Sequence, residues 1–308
     1  MLPSGSYVAL VTPMDKDNKI QWHCLHNLID WHLESKTAGI LVLGTTGESP
    51  TISSTERTRL IKETVSHVAG RVPVIVGAGT NDTRTSIELV QEAGFLGADV
   101  AMTVVPYYNK PNEAGLYEHF AAIAQAADIP ILLYNVPART VTSISAELVA
   151  KLSLVSNIIG IKDATGNMDY LQEMRQLLSA NFMLFSGDDY TAIDYIENGG
   201  HGVISVIANV VPLYMANLCE AVLLHDAVSI TKIHAEISSL LDVCCVDVNP
   251  VPVKYMLNLM QKIGSGIRLP LVNLSYDKQQ LVKDVMGRAG LLNLESSLRQ
   301  SSAGFVGS

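Results

Sequence analysis

Cysteine is scarce in this chain: four in 308 residues, Cys24, Cys219, Cys244 and Cys245. Their spacing fits neither a zinc-ligand pattern nor a disulfide framework, so a reducing cytoplasm is the expected compartment. Positive charge is short as well. Lys and Arg number 21 against 30 Asp and Glu, a net charge of -9, which argues against nucleic acid as the partner. No apolar run approaches the length of a membrane span, and residues 1–13 carry one short apolar run without a basic stretch. Neither a membrane partner nor a secretory signal is therefore expected. What the chain does have is apolar residues, 48% of the total. That is enough for one large α/β barrel or for two smaller domains.

Those apolar residues fall into short runs that alternate with helical periodicity. Strands are expected at Ser6–Thr12, Ala38–Gly44, Val72–Gly77, Ala98–Val105, Pro130–Asn135, Ile158–Lys162, Phe182–Ser186 and Gly202–Val206. Helical segments separate them, the first at Trp22–Lys36 and the last at Tyr190–Asn198. Eight strands alternating with helices predict an α/β fold of the (β/α)8 TIM barrel type, with a doubly wound open sheet as the second choice. Helices at about Pro212–Leu224, Ala227–Asp242, Val251–Ile263 and Tyr276–Ala289 exceed what the barrel needs. The expected organisation is a catalytic barrel over 1–224, a C-terminal helical extension over 225–295, and a Ser- and Gly-rich, disordered tail over 296–308.

Lys162 ends the sixth apolar run, in the stretch Asn157-Ile-Ile-Gly-Ile-Lys-Asp-Ala-Thr-Gly-Asn167. Strand alternation places Ile158, Gly160 and Lys162 on one face. Burying an ammonium is costly, whereas a desolvated amine is what an attack on a carbonyl requires. Chemistry in a barrel sits where the strands end. Those ends offer Thr45 and Thr46, Tyr107 and Tyr108, Tyr134 with Arg139 just beyond, Lys162, Gly187 with Asp188, and Ile204 with Ser205. Adjacent strands lie about 5 Å apart, which should bring Tyr134 to Lys162. A hydroxyl there can move the protons of carbinolamine dehydration. The Gly-Thr-Thr-Gly turn can hold a carboxylate, and Arg139 offers a fork for a second one. Each feature also has an ordinary reading: a snorkelling lysine, a tight turn, packing tyrosines, a surface arginine, and a capping role for one of Asp188 and Asp189.

Seven motifs in order make the resemblance specific: Gly44-Thr-Thr-Gly-Glu48, Pro106-Tyr-Tyr-Asn109, Tyr134-Asn-Val-Pro-Ala-Arg-Thr140, Ile159-Gly-Ile-Lys-Asp-Ala-Thr-Gly-Asn167, Ser186-Gly-Asp-Asp189, Gly199-Gly-His-Gly-Val-Ile-Ser205 and Asn249-Pro-Val-Pro-Val-Lys254. From about Gly5 to Leu292 the chain resembles the dihydrodipicolinate synthase family of the pyruvate-dependent class I aldolase superfamily. The resemblance implies condensation of pyruvate with L-aspartate 4-semialdehyde to 4-hydroxy-tetrahydrodipicolinate, the first committed step towards diaminopimelate and lysine. It implies that Lys162 forms the Schiff base and that Tyr134, Thr45 and Tyr108 form a proton relay, Tyr108 reaching into a neighbouring subunit. Thr46 would help hold the pyruvate carboxylate, and Arg139 would hold that of the semialdehyde. Backbone groups around Gly187 and Ile204 would shape the floor. No cofactor or metal is implied, and the expected assembly is a homotetramer of two tight dimers.

One departure from the family pattern bears on regulation. The positions matching the lysine-inhibition site are Ser49, Pro50, Ser54, Arg57, Asn81, Thr85 and Tyr107. The lysine-sensitive type has histidines at the positions of Ser54 and Arg57 and a glutamate at that of Thr85. Thr85 cannot supply the charge that an ammonium wants, and Arg57 adds like charge, so lysine feedback is expected to be weak or absent. Two further patterns lead elsewhere. Gly77-Ala-Gly79 has Asp82 where a dinucleotide loop needs its third glycine. His23, His26 and His32 lie on or near the first helix without an evident third metal ligand, as on a solvated face. The competing functions are a sister aldolase, such as N-acetylneuraminate lyase or a keto-deoxy sugar acid aldolase, and a non-catalytic barrel that only binds a keto acid.

Overall fold

The computed structural model describes residues 2–292. The expected tail at 296–308 and the last residues of the expected extension lie outside the described residues. Eight parallel strands close a barrel in chain order: β1 (Gly5–Ala9), β2 (Gly39–Val42), β3 (Val74–Gly77), β4 (Val100–Val104), β5 (Ile131–Asn135), β6 (Ile158–Asp163), β7 (Met183–Ser186) and β8 (Gly202–Ser205). Helices α1 (Trp22–Glu34), α2 (Ser54–Val68), α3 (Thr83–Phe95), α4 (Glu113–Gln125), the single turn α5 (Pro137–Thr140), α6 (Ala146–Leu152), α7 (Met168–Leu177) and α8 (Ala192–Glu197) connect them. After β8 come α9 (Pro212–Leu223), α10 (Ala227–Cys244), α11 (Val251–Leu259) and α12 (Tyr276–Arg288). Among the described residues no helix is long and apolar enough to cross a membrane.

The strands are buried on both faces, which is why they read as continuous apolar runs. Inside the barrel Tyr7, Leu41, Ile75, Met102, Leu132, Tyr134, Met183, Phe185 and Ile204 pack as one cluster. The Tyr7 ring fills the space beside β2, where a Cβ at Gly39 would lie 2.2 Å from its Cε1. Each large side chain buried here contributes about 1.5–3 kcal/mol. The opposite strand faces pack beneath the helices. Short polar residues start the helices: Ser53 forms a capping box with Glu56, and Asp82, Asn112, Ser145, Asn167 and Asp226 each accept a first-turn N–H.

Simple alternation along the sixth strand fails at one residue. The β5–β6 register slips between Ile131 and Leu132, whose partners are Ile158 and Gly160. Such an irregularity moves the residues before it to the other face. Ile158 therefore packs under the helices, and Ile159 rather than Ile158 meets the barrel interior. The solvated reading of the first-helix histidines also fails for His32. It is fully buried on α1, its Nδ1 lies 3.0 Å from Thr37 Oγ1, and burial pushes its pKa down to about 3. His26 instead stacks on His67 at 4.3 Å and meets Glu63.

Candidate active site

Lys162 stands at the C-terminal end of β6, directly paired in register with Tyr134 of β5 and Phe185 of β7. It is only 5% exposed. Among the described residues no carboxylate pairs with its amine, which lies over the Tyr134 ring, 4.6 Å from Nζ to the centroid. The strand pairing thus brings together the two residues that strand spacing had predicted to meet. Gly187, just after β7, leaves room for the lysine: a Cβ there would lie 2.9 Å from Lys162 Cε and 2.8 Å from Ala164 Cβ. Ile204 is fully buried in β8, inside the same barrel cluster.

The carboxylates behind the lysine are held by backbone. Asp163 accepts from Thr165 N at 2.9 Å, and burial pushes its carboxyl up to about 6. Asp188 caps the next turn through Thr191 N and Oγ1. Asp189 accepts from Val206 N and Ile207 N at 2.9 Å each, tying the loop after β7 to the end of β8, and burial raises its pKa. The helix-capping role expected of one of this pair is filled by neither: the N-cap position of α8 is Thr191, without a side-chain cap, and Asp188 holds the turn ahead of it.

The turn after β2 carries Thr45, half-buried, and Thr46, buried. Thr12 Oγ1 donates to Gly47 O at 2.7 Å and holds this turn from the segment after β1. Thr46 Oγ1 accepts from Asn249 Nδ2 at 3.0 Å. Arg139, exposed on the short α5, donates through Nη2 to the Asn249 carbonyl at 3.3 Å. One residue of the turn between α10 and α11 therefore touches both groups that the resemblance assigns to substrate carboxylates. Asn249 also has a buried Oδ1 with no hydrogen-bond partner. Its motif was visible in the sequence, but no role followed from it.

Glu48 and Lys254 were missed in the same way, and Arg268 lay outside every motif read from the sequence. Glu48 Oε1 accepts from Lys254 Nζ, and Glu48 Oε2 accepts from Arg268 N at 3.0 Å. Beyond its motif, the signal for Lys254 was a single charge in the mainly apolar Val251–Leu259 helix. Tyr108 is not brought to Lys162 within one chain. It has a left-handed φ of 71° and is 92% exposed, with Tyr107 beside it partly exposed.

The positions matching the lysine-inhibition site form a polar surface. Ser49 and Pro50 sit in a 3-10 turn, and Ser54 opens α2. Asn81 O accepts from Asn109 Nδ2, and Thr85 Oγ1 donates to Asp82 at 2.6 Å. Arg57 is buried there, with Nε on Glu92 at 2.9 Å and Nη1 on Gly77 O at 2.9 Å. Its charge is paired, which the sequence reading of bare repulsion did not foresee.

A buried lysine without a carboxylate partner among the described residues, beside a phenol at the C-terminal mouth of a parallel barrel, is an arrangement suited to attack on a carbonyl. The chain belongs to the dihydrodipicolinate synthetase family, whose model matches residues 2–289. The 4-hydroxy-tetrahydrodipicolinate synthase of Alcanivorax borkumensis is 48% identical over 291 residues, 94% of this chain and 99% of the relative. The dihydrodipicolinate synthase of Acinetobacter baumannii, solved as a chloride-inhibited form complexed with pyruvate, is 41% identical with a TM-score of 0.92. The match covers 94% of this chain and 99% of that one. A structure described as the first monomeric dihydrodipicolinate synthase variant also has a TM-score of 0.92, at 38% identity, covering 94% of this chain and 98% of that one.

Proposed function

We propose that this chain condenses pyruvate with L-aspartate 4-semialdehyde through a Schiff base on Lys162, giving 4-hydroxy-tetrahydrodipicolinate. The observation that carries this reading is the buried amine of Lys162, free of any carboxylate among the described residues and packed at the Tyr134 ring. The amine attacks the keto carbon of pyruvate, water leaves, and loss of a methyl proton gives an enamine. The enamine carbon adds to the aldehyde. Attack by the semialdehyde's own amino group then closes the ring and releases the lysine. Tyr134, with Thr45 and Tyr108, moves the protons of these steps. Thr46 holds the pyruvate carboxylate and Arg139 that of the semialdehyde. The backbone at Gly187 and Ile204 forms the floor. The relatives carry the synthase name, which favours this reading over a sister aldolase.

The remaining assignments rest on the same reading. Residues 1–224 make the catalytic barrel, and the helices after them are an extension that reaches back over it. A tyrosine left in strained, exposed backbone at position 108 supports insertion into a second subunit, hence a homotetramer built from tight dimers. Cys245 is an exposed free thiol, which suits a cytoplasmic location. Lysine feedback is weak or absent, because Thr85 offers no carboxylate and the Arg57 guanidinium is already committed to Glu92 and Gly77.

The test is reduction with sodium borohydride in the presence of pyruvate, followed by peptide mass spectrometry. A pyruvate adduct on Lys162, and product formed only when the semialdehyde is supplied, are the expected results. A folded protein that gives no adduct would sink the Schiff-base assignment and leave a keto-acid-binding barrel.

A further inference from the structure

The turn that carries Thr45 and Thr46 is fastened mainly from outside the barrel. Its last residue, Glu48, adopts left-handed backbone with φ 57°. For a non-glycine residue such a conformation costs of order 1 kcal/mol and persists only where its surroundings over-determine it. Here they do. The Glu48 and Lys254 side chains are 1% and 4% exposed and form an ion pair across 206 positions of sequence. The second carboxylate oxygen accepts the backbone N–H of Arg268 at 3.0 Å. The Arg268 side chain is spread over Asn18 O in the loop after β1 and over Thr51 O and Glu56 on the α2 side of the turn.

A buried ion pair is a poor way to add stability. Desolvating both charges offsets most of their attraction, and apolar residues of similar size do as well or better. The extension has other means of docking: its apolar residues share a core cluster with the barrel, and Arg268 meets Glu56. What the pair supplies beyond adhesion is direction. A carboxylate fixed through both oxygens leaves the turn one orientation.

We propose that the Glu48–Lys254 ion pair is a positioning device for the keto acid: through it the C-terminal helices set the turn after β2, so that Thr45 and Thr46 meet the pyruvate carboxylate. This inference rests on the proposal that the turn holds pyruvate. Neither Glu48 nor Lys254 need touch the substrate. Loosening the pair lets the turn move by a fraction of an ångström, which weakens pyruvate capture without removing the nucleophile.

The test compares Glu48→Gln, Lys254→Met and the double variant with the wild-type protein. The readouts are the pyruvate concentration that half-saturates borohydride trapping on Lys162, the limiting adduct yield, KM and kcat, and Tm. Each single variant is expected to need about tenfold more pyruvate, with the limiting yield kept, as a supporting contact loosens. Lys254→Met leaves the Glu48 charge buried alone and is the variant most at risk of misfolding; Glu48→Gln and the double variant then carry the test. The double variant removes both charges, so its Tm recovers towards wild type while its raised pyruvate requirement stays. Recovery of both together, or single variants that lower Tm but leave half-saturation within twofold of wild type, would show a purely structural pair and overturn the proposal. Absence of any adduct on the wild-type protein is a different failure: it removes the Schiff-base reading itself, and this inference with it.

Discussion

Adding one methyl group at Gly187 tests the site's geometry directly. An alanine Cβ there would lie 2.8 Å from Ala164 Cβ and 2.9 Å from Lys162 Cε. Carbon atoms prefer about 3.5 Å or more, so each neighbour must give by roughly 0.6–0.7 Å. Gly187 cannot retreat freely, because its N–H donates to Asp163 O at 2.6 Å. Ala164 cannot retreat either, since its N–H donates to Asn135 O at 2.9 Å. Overpacking of this kind costs about 1–3 kcal/mol. Lys162 is the softer neighbour and yields by moving its flexible end, which carries the amine away from the position set by Tyr134. A misplacement near 1 Å at the reacting atom costs about 100-fold in rate. Gly187→Ala should therefore lower Tm by a few degrees and slow both borohydride trapping and turnover by roughly 10- to 100-fold. The two readouts separate the causes, since the Ala164 contact acts on stability and the Lys162 contact on chemistry. A variant with a lowered Tm but wild-type trapping kinetics would refute the claim that Gly187 exists to make room for the lysine.

Four other perturbations follow from the same contacts. Lys162→Met removes a buried amine that no carboxylate pairs and replaces it by an apolar side chain of similar length, so trapping should vanish while Tm holds or rises. Asp163 has its pKa raised by burial to about 6 from 3.8. The stability it contributes is therefore complete below about pH 4 and lost as pH rises through 6; the advantage of Asp163→Asn over wild type should grow across that range and level off above pH 6 at up to about 3 kcal/mol, read from urea melts across pH. Glu56 is shifted the other way, lowered from 4.5 to about 2, first by its hydrogen bond from Arg268. Its contribution is present above pH 4.5 and disappears as pH falls through 2, so Glu56→Gln should cost about 1–3 kcal/mol near neutrality and flatten the acid limb of the stability curve. Titration of lysine into the condensation assay should leave the rate unchanged at low-millimolar concentrations; inhibition in that range would remove the argument from Thr85 and Arg57.

The barrel was legible because its signal is local. Eight short apolar runs each carry their own boundary residues, and all eight became strands. Seven of the eight predicted runs were longer than the strands, as with Ser6–Thr12 against the observed Gly5–Ala9, while the sixth stopped one residue short of Asp163. Leu10 and Val11 stay buried after they leave the strand, so hydrophobicity continues where strand geometry stops. The turn Pro137–Thr140 was invisible because four residues show no helical period, although it carries Arg139. The slip in β6 was invisible for another reason: register belongs to a pair of strands, and periodicity within one strand contains no record of its partner. The pairing of Lys162 with Tyr134 survived because the slip lies at the other end of the strand, before Gly160.

The two buried lysines show where such reading stops. Lys162 breaks a local rule, a charge at the end of a buried strand, and the anomaly marks it in the sequence. Lys254 looks ordinary, one polar residue in a helix, until the extension folds back and buries it to 4% exposure. Both face the cost of taking an amine out of water, and the structure meets it in opposite ways. Lys254, whose pKa burial pushes down, is given a carboxylate that offsets part of that cost and ties it to a loop. Lys162 is given a phenol ring and no carboxylate among the described residues, which is the environment a carbonyl nucleophile requires. Burial alone therefore does not single out the lysine proposed as the nucleophile; the missing counter-charge does. That distinction depends on a contact made across 206 positions, beyond the reach of any local pattern.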